Sequence, residues 1–255
     1  MPLDLVTIPC RSDNYAILLH DPASDTTALV DAPEAGPILK ALAARGWRLS
    51  EIWLTHHHGD HVEAVDELRT ATGAEVTGAA ADAHRLPRLE RALPADASFD
   101  FAGHAVQTLN VPGHTVGHIA YWIPDAQVVF TGDSLMAGGC GRLFEGTPGQ
   151  MWDSLSRLAA LPPETQVCSG HEYTVANLRF AATLEPDNPD LKCRSERVAA
   201  ARKEGRATVP SRLSEELATN PFLRAGLPAL KAAVGMPEAS DVESFAAIRS
   251  RKDRF

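Results

Sequence analysis

The sequence predicts an α/β protein, a sheet-based domain followed by a helical appendix, and three observations lead there. Short apolar runs separated by turn formers alternate with helical patterns through the first two thirds of the chain. Beyond Tyr173 the strand signals stop, and Ala-, Leu-, Arg- and Glu-rich segments run between prolines. The dense cluster Thr55-His56-His57-His58-Gly59-Asp60-His61 lies between an apolar strand and a helical pattern, where a rigid scaffold carries its chemistry. A boundary at Tyr173 divides the chain into domains 1–173 and 174–255.

Each element has a local reason. Leu3 to Ile8, Tyr15 to Leu19 and Thr27 to Val30 read as antiparallel strands separated by Asp13-Asn14 and Asp21-Pro22. Pro37 to Arg45 reads as a helix ended by Gly46. The strand Glu51 to Leu54 enters the histidine cluster, and a helix from Val62 to about Thr72, closed by Gly73, leaves it. Glu75 to Thr77 is a short strand, and 79–97 reads as a short helix plus loop. Strands return at Ala105 to Val111, Ile119 to Ile123 and Gln127 to Phe130. Gly138 to Arg142 is too glycine-dense for an element interior. Gln150 to Leu161 is a helix stopped by Pro162-Pro163, and Gln166 to Cys168 is a last strand. Val175 to Leu184, Leu191 to Lys203 and Ser214 to Ala218 read as helices of the appendix.

Composition narrows the function classes. The chain has 255 residues, 44% of them hydrophobic, which suffices for a substantial core. Its 24 basic and 33 acidic residues give a net charge of −9, a poor basis for nucleic-acid binding. Cys10, Cys140, Cys168 and Cys193 form no C-x-x-C pair and read as reduced thiols. No secretory signal or apolar run of membrane-spanning length is visible, so a cytoplasmic protein without a membrane partner is expected.

The histidine cluster points to metal. Along its extended part side chains alternate, so His56 and His58 point one way and His57 the other, while Asp60 and His61 splay towards a second point. His114, Asp133 and His171 each follow a predicted strand. Seven N and O donors without a cysteine are too many for one tetrahedral ion and suit two ions, zinc, iron or manganese, with Asp133, alone on its loop, as the shared carboxylate. A solvated His-rich tract would lack the structured flanks, and a structural zinc would use about four ligands and favour cysteine. His57 reads as packed or hydrogen-bonded beside the site, and His20, His84 and His104 as solvated loop residues. A pair of metal ions in such a site suits hydrolysis, in which they acidify a water and stabilise an oxyanion, with Asp60 both ligating and holding that water.

Thr55 to His61 with His114, Asp133 and His171 resembles the metallo-β-lactamase superfamily. Asp13-Asn14-Tyr15, Gly139 to Thr147, Gly170 to Thr174, Asn220 to Arg224 and the ending Arg249 to Phe255 narrow the resemblance to the glyoxalase II, or hydroxyacylglutathione hydrolase, family. That resemblance implies a four-layer αββα sandwich with a C-terminal helical domain. It implies one metal on His56, His58 and His114, the other on Asp60, His61 and His171, and Asp133 bridging, with two divalent ions per chain, zinc first. It places Arg142, Phe144, Tyr173, Arg249 and Lys252 at positions that bind the glutathione moiety, with Phe144 where some members have Tyr. The implied reaction is hydrolysis of S-(2-hydroxyacyl)glutathione thioesters by a monomer; a persulfide dioxygenase or a lactonase of the same fold is the alternative. Read from the residues alone, the cationic ending is a solvated, frayed terminus; a patch able to grip carboxylates is the reading the resemblance favours.

Overall fold

A computed structural model describes residues 3–255. The chain forms two compact units: one runs to Asn110 and adds Gly117–Gly132, and the other comprises Val111–Val116 and Asp133–Phe255.

The first unit holds two sheets. β1 (Asp4–Cys10), β2 (Asn14–Asp21) and β3 (Thr26–Val30) run antiparallel. After α1 (Ala35–Arg45), β4 (Leu49–Trp53) joins β3 in parallel. α2 (Gly59–Val62) and α3 (Val65–Thr72) lead to β5 (Glu75–Ala79), then β6 (Arg91–Leu93), both parallel additions, giving the order β1-β2-β3-β4-β5-β6. β7 (Ser98–Phe101), β8 (His104–Asn110), β9 (Ile119–Ile123) and β10 (Val128–Gly132) form an antiparallel meander.

Alternation along β4 explains the layering. Ile52 and Leu54 join the core beneath α1 and α3, with Ile38, Leu42, Val65 and Leu68. Trp53 points to the other face and meets the meander, edge-on to Phe99 and Phe101 at 5.3 and 5.2 Å and tilted against Tyr121 at 5.4 Å. The site-bearing loop after β4 is therefore anchored on both sides of its strand.

In the second unit, β11 (Leu135–Met136) and β12 (Gly139–Cys140) make a small hairpin. α4 (Pro148–Ala159) begins two residues earlier than its hydrophobic pattern suggests, because Thr147 and Gln150 close a capping box and Pro148 fits the first turn. β13 (Gln166–Ser169) pairs with β14 (Ser211–Arg212), a strand the sequence reading lacks. α5 (Thr174–Leu184), α6 (Pro189–Lys203), α7 (Leu213–Thr219), α8 (Pro228–Ala233) and α9 (Asp241–Asp253) complete it. Leu178 and Ala181 pack on Leu191 and Val198 between α5 and α6. Phe222 stacks on Phe180 and meets Phe245 of α9, whose ring also faces Trp152 of α4.

Several expectations change. The helix read from Val62 to Thr72 is broken, because Ala64 N–H donates to Ala32 O at 3.0 Å, tying the break to the end of β3. The stretch 79–97 contains one 3-10 turn at Ala80–Asp82 and the strand β6. His20 is buried rather than solvated, stacked on Trp47 at 4.1 Å with its Nδ1 2.9 Å from Thr27 Oγ1, because both faces of β2 are covered. The cationic ending is the last turn of α9, whose start is signalled by the Ser240–Glu243 capping box. Among the described residues, no helix is long and apolar enough to cross a membrane.

Candidate metal centre

The candidate ligands fall into two clusters, one in each unit. In the first, β4 ends and the chain is captured by Asp31, at the end of β3. Asp31 accepts from Thr55 N and Thr55 Oγ1, each at 2.8 Å, and from His61 Nδ1 at 2.8 Å. Because Thr55 Oγ1 gives its proton to Asp31, it accepts from His56 Nδ1 at 3.0 Å. Both imidazoles are thereby fixed as tautomers that carry their lone pair on Nε2.

His56 Nε2 lies 3.1 Å from His58 Nδ1. That is close to the separation of about 3.3 Å that two nitrogens take on one tetrahedral zinc. His61 Nε2 lies 3.8 Å from Asp60 Oδ2, and Asn14 Nδ2 donates to both Asp60 O and Asp60 Oδ2 at 3.0 Å. The His118 ring stacks on His56 at 4.7 Å, which gives it a packing role beside the ligands. His57 turns to the other side, as alternation predicts, and its Nδ1 meets Asp82 Oδ2 at 3.0 Å.

In the second unit, Asp133 Oδ2 stands 3.4 Å from His114 Nε2 and 3.3 Å from His171 Nε2. His114 Nδ1 donates to Arg142 O at 2.8 Å, again aiming the Nε2 lone pair at the convergence point. Gly141 makes this possible: a Cβ there would lie 2.0 Å from Asp133 O and 2.9 Å from His114 Nδ1, so only glycine fits. The His171 ring stacks on Tyr173 at 4.8 Å. All the donors are imidazole nitrogens or carboxylate oxygens, and the histidines with an assigned second contact have it to oxygen. This fits a borderline divalent cation.

The five residues expected at the glutathione moiety differ in setting. Arg142, Phe144 and Tyr173 have exposed side chains, and the Phe144 ring lies 5.2 Å from His114. Arg249 is buried; it donates to Cys140 O and to Asp253 Oδ1, both at 2.9 Å, and its guanidinium lies over Phe222. Lys252 Nζ donates to Ala176 O at 2.9 Å. Partial burial first, then Arg249, Arg142 and Arg179, lower its pKa to about 8. Burial pushes the Cys140 thiol up to about 11, so it is a neutral packing group at neutral pH. Burial raises the Cys168 thiol as well, and none of the four cysteines is in a disulfide.

Sequence reasoning missed Asp31 and Asp82. Asp31 ends an apolar strand as Asp133 does, and that position is the signal that could have found it.

A model of the metallo-β-lactamase superfamily matches residues 11–171. ETHE1 from Myxococcus xanthus aligns over 98% of this chain and 90% of its own, with a TM-score of 0.67 and 25% identity. TTHA1623, crystallised in a di-iron-bound form, aligns over 66% of this chain and 91% of its own, with a TM-score of 0.56 and 31% identity. The fold is thus the α/β metallo-β-lactamase fold, here with a C-terminal helical region. A second model, the hydroxyacylglutathione hydrolase C-terminus, matches residues 172–255. Hydroxyacylglutathione hydrolases of Cereibacter sphaeroides and Roseobacter denitrificans are 65% and 63% identical across 100% of this chain and of each relative. The chain belongs to the hydroxyacylglutathione hydrolase family.

Proposed function

We propose that the protein is a metal-dependent thioesterase, a glyoxalase II, hydrolysing S-(2-hydroxyacyl)glutathione to the 2-hydroxy acid and glutathione. S-D-lactoylglutathione, giving D-lactate in methylglyoxal detoxification, is its typical substrate. The observation that carries this reading is the tautomer locking of His56, His61 and His114, whose Nδ1 atoms are engaged by Thr55 Oγ1, Asp31 Oδ2 and Arg142 O. Each imidazole is thereby oriented to present Nε2 to a cation, the arrangement typical of metal-ligating histidines.

In this reading His56, His58 and His114 would hold one divalent ion and Asp60, His61 and His171 a second, with Asp133 available to both and zinc as the first candidate. Two such ions supply an acidified water, of pKa about 7, and polarise a carbonyl oxygen. The chain's own residues do the rest. Asp60, oriented by Asn14, would hold and align the attacking water by a hydrogen bond. Arg142 and Lys252 offer cations to the carboxylates of glutathione, which an acidic protein must bind locally. Tyr173 and Phe144 offer ring surface to the peptide, and Arg249 supports that patch. The leaving group is a thiolate whose conjugate acid has a pKa near 8.5, so no strong general acid is required at sulfur. Residues 1–173 form the catalytic domain and 174–255 the substrate-binding domain of a cytoplasmic monomer.

The test is cleavage of S-D-lactoylglutathione followed by ultraviolet absorbance, with metal content measured on the same sample. Rapid cleavage abolished by a chelator, at two metals per chain, is the expected result. Two bound metals without cleavage would overturn the substrate.

A further inference from the structure

We infer that Asp82 is a positioning residue for the histidine cluster: its buried carboxylate anchors His57 and thereby sets the spacing of His56 and His58 on either side. The inference rests on the metal-site reading above, and its test separates the two.

Three segments far apart in sequence meet on this one side chain, which is only 1% exposed. From the loop after β4, His57 Nδ1 reaches Asp82 Oδ2 at 3.0 Å. From the turn after β5, Arg85 Nε and Nη2 reach Asp82 Oδ1 at 2.7 and 2.5 Å, while Arg85 N and Leu86 N fix the Asp82 backbone by donating to its carbonyl oxygen at 2.9 and 3.1 Å. From the corner before β9, Gly117 packs so tightly that a Cβ would lie 2.5 Å from Asp82 Cγ. The next residue in that corner, His118, stacks on the His56 ring.

A buried carboxylate is costly to leave unpaired, so its partners are held firmly. The consequence reaches the ligands through the backbone. His57 is one peptide away from both His56 and His58, and in extended chain its ring must point opposite to theirs. Pinning His57 to Asp82 therefore fixes the face on which His56 Nε2 and His58 Nδ1 come within 3.1 Å of one another. It also keeps a spare imidazole, with its ring centre 4.9 Å from that of His58, from competing for the cation. The loop Thr55–His61 carries four imidazoles, and Asp82 sorts the one that is not a ligand away from those that are.

The experiment compares the full-length wild type, Asp82→Ala, Asp82→Asn, His57→Ala and the double variant Asp82→Ala/His57→Ala. Each is stripped of metal, and zinc affinity is measured by competition with a chromogenic chelator, alongside the melting temperature of the metal-free protein. Asp82→Ala and His57→Ala are each expected to weaken zinc binding about 10- to 100-fold, the cost typical of lost support around a metal ligand. Asp82→Asn, whose amide oxygen still accepts from His57, retains most of the affinity. The double variant is no worse than the weaker-binding single variant, because both act through one contact. Asp82→Ala with zinc affinity within about twofold of wild type, whatever its melting temperature, overturns the inference, as does full additivity in the double variant. If Asp82→Ala does not fold, Asp82→Asn and His57→Ala decide: affinity lost in His57→Ala and largely kept in Asp82→Asn supports the inference, and affinity unchanged in His57→Ala overturns it. A wild type that binds no zinc or other divalent ion would instead sink the metal-site reading before any variant is compared.

Discussion

Arg249 Nη1 donates a hydrogen bond to the carbonyl oxygen of Cys140 at 2.9 Å, joining the last helix to the loop that shapes the cluster of Asp133, His114 and His171. Cys140 is followed by Gly141, which packs on Asp133 O, and by Arg142, whose carbonyl holds His114 Nδ1. Arg249 thus buttresses candidate ligands as well as lying in the candidate glutathione patch. Replacing it by alanine leaves a buried carbonyl without its donor, at a cost of about 1–3 kcal/mol. We expect Arg249→Ala to lower the melting temperature and to reduce kcat as well as raise KM, with Arg249→Lys recovering only part because one amine cannot reproduce the fork. Thermal melts and steady-state kinetics check this, and a pure KM effect at unchanged melting temperature would contradict it.

Asp133 Oδ2 is the point on which His114 and His171 converge. Asp133→Ala should lose at least one metal per chain and nearly all turnover. Metal analysis of the purified variant beside its activity checks both, and full activity with two metals bound would remove Asp133 from the bridging role.

If Lys252 contacts the substrate as proposed, binding should depend on pH. Its pKa falls from 10.5 to about 8, so it loses its charge just above neutrality. KM for the anionic substrate should rise as pH passes 8, and Lys252→Met should raise KM at pH 7 and flatten that rise. The stability linkage has the opposite sense. Between the folded and unfolded pKa values the unfolded chain binds more protons, so the penalty for burying this amine is full below about pH 8 and gone above 10.5. Wild type should therefore gain stability relative to Lys252→Met as pH rises through that window, which urea titrations at two pH values can measure.

Phe144 presents an exposed ring beside His114 and lacks the hydroxyl that some family members carry there. Phe144→Tyr should lower KM by about fivefold, equivalent to one net hydrogen bond of about 1 kcal/mol, with kcat unchanged. Steady-state kinetics on S-D-lactoylglutathione test it, and an unchanged KM would mean that the peptide does not reach this ring.

What the sequence by itself determined was the local chemistry. The candidate donors His56, His58, Asp60 and His61, with His114, Asp133 and His171, could be named because imidazoles and carboxylates crowded at strand ends have few uses other than metal. Most strands and most helices could be placed because periodicity and breakers such as Gly46 and Gly73 act within a few residues. Tertiary structure decided which polar groups become partners across long separations. Asp31 reaches Thr55 and His61, Asp82 reaches His57, and Arg249 reaches Cys140, 109 residues away. The charge run at the end of the chain reads as frayed in isolation; it is the aromatic surface of Phe222 and the open Cys140 carbonyl that draw Arg249 inside. His20 likewise becomes a core residue only because a second layer covers β2. Burial is a property of what the rest of the chain brings to a residue, and no local pattern records it.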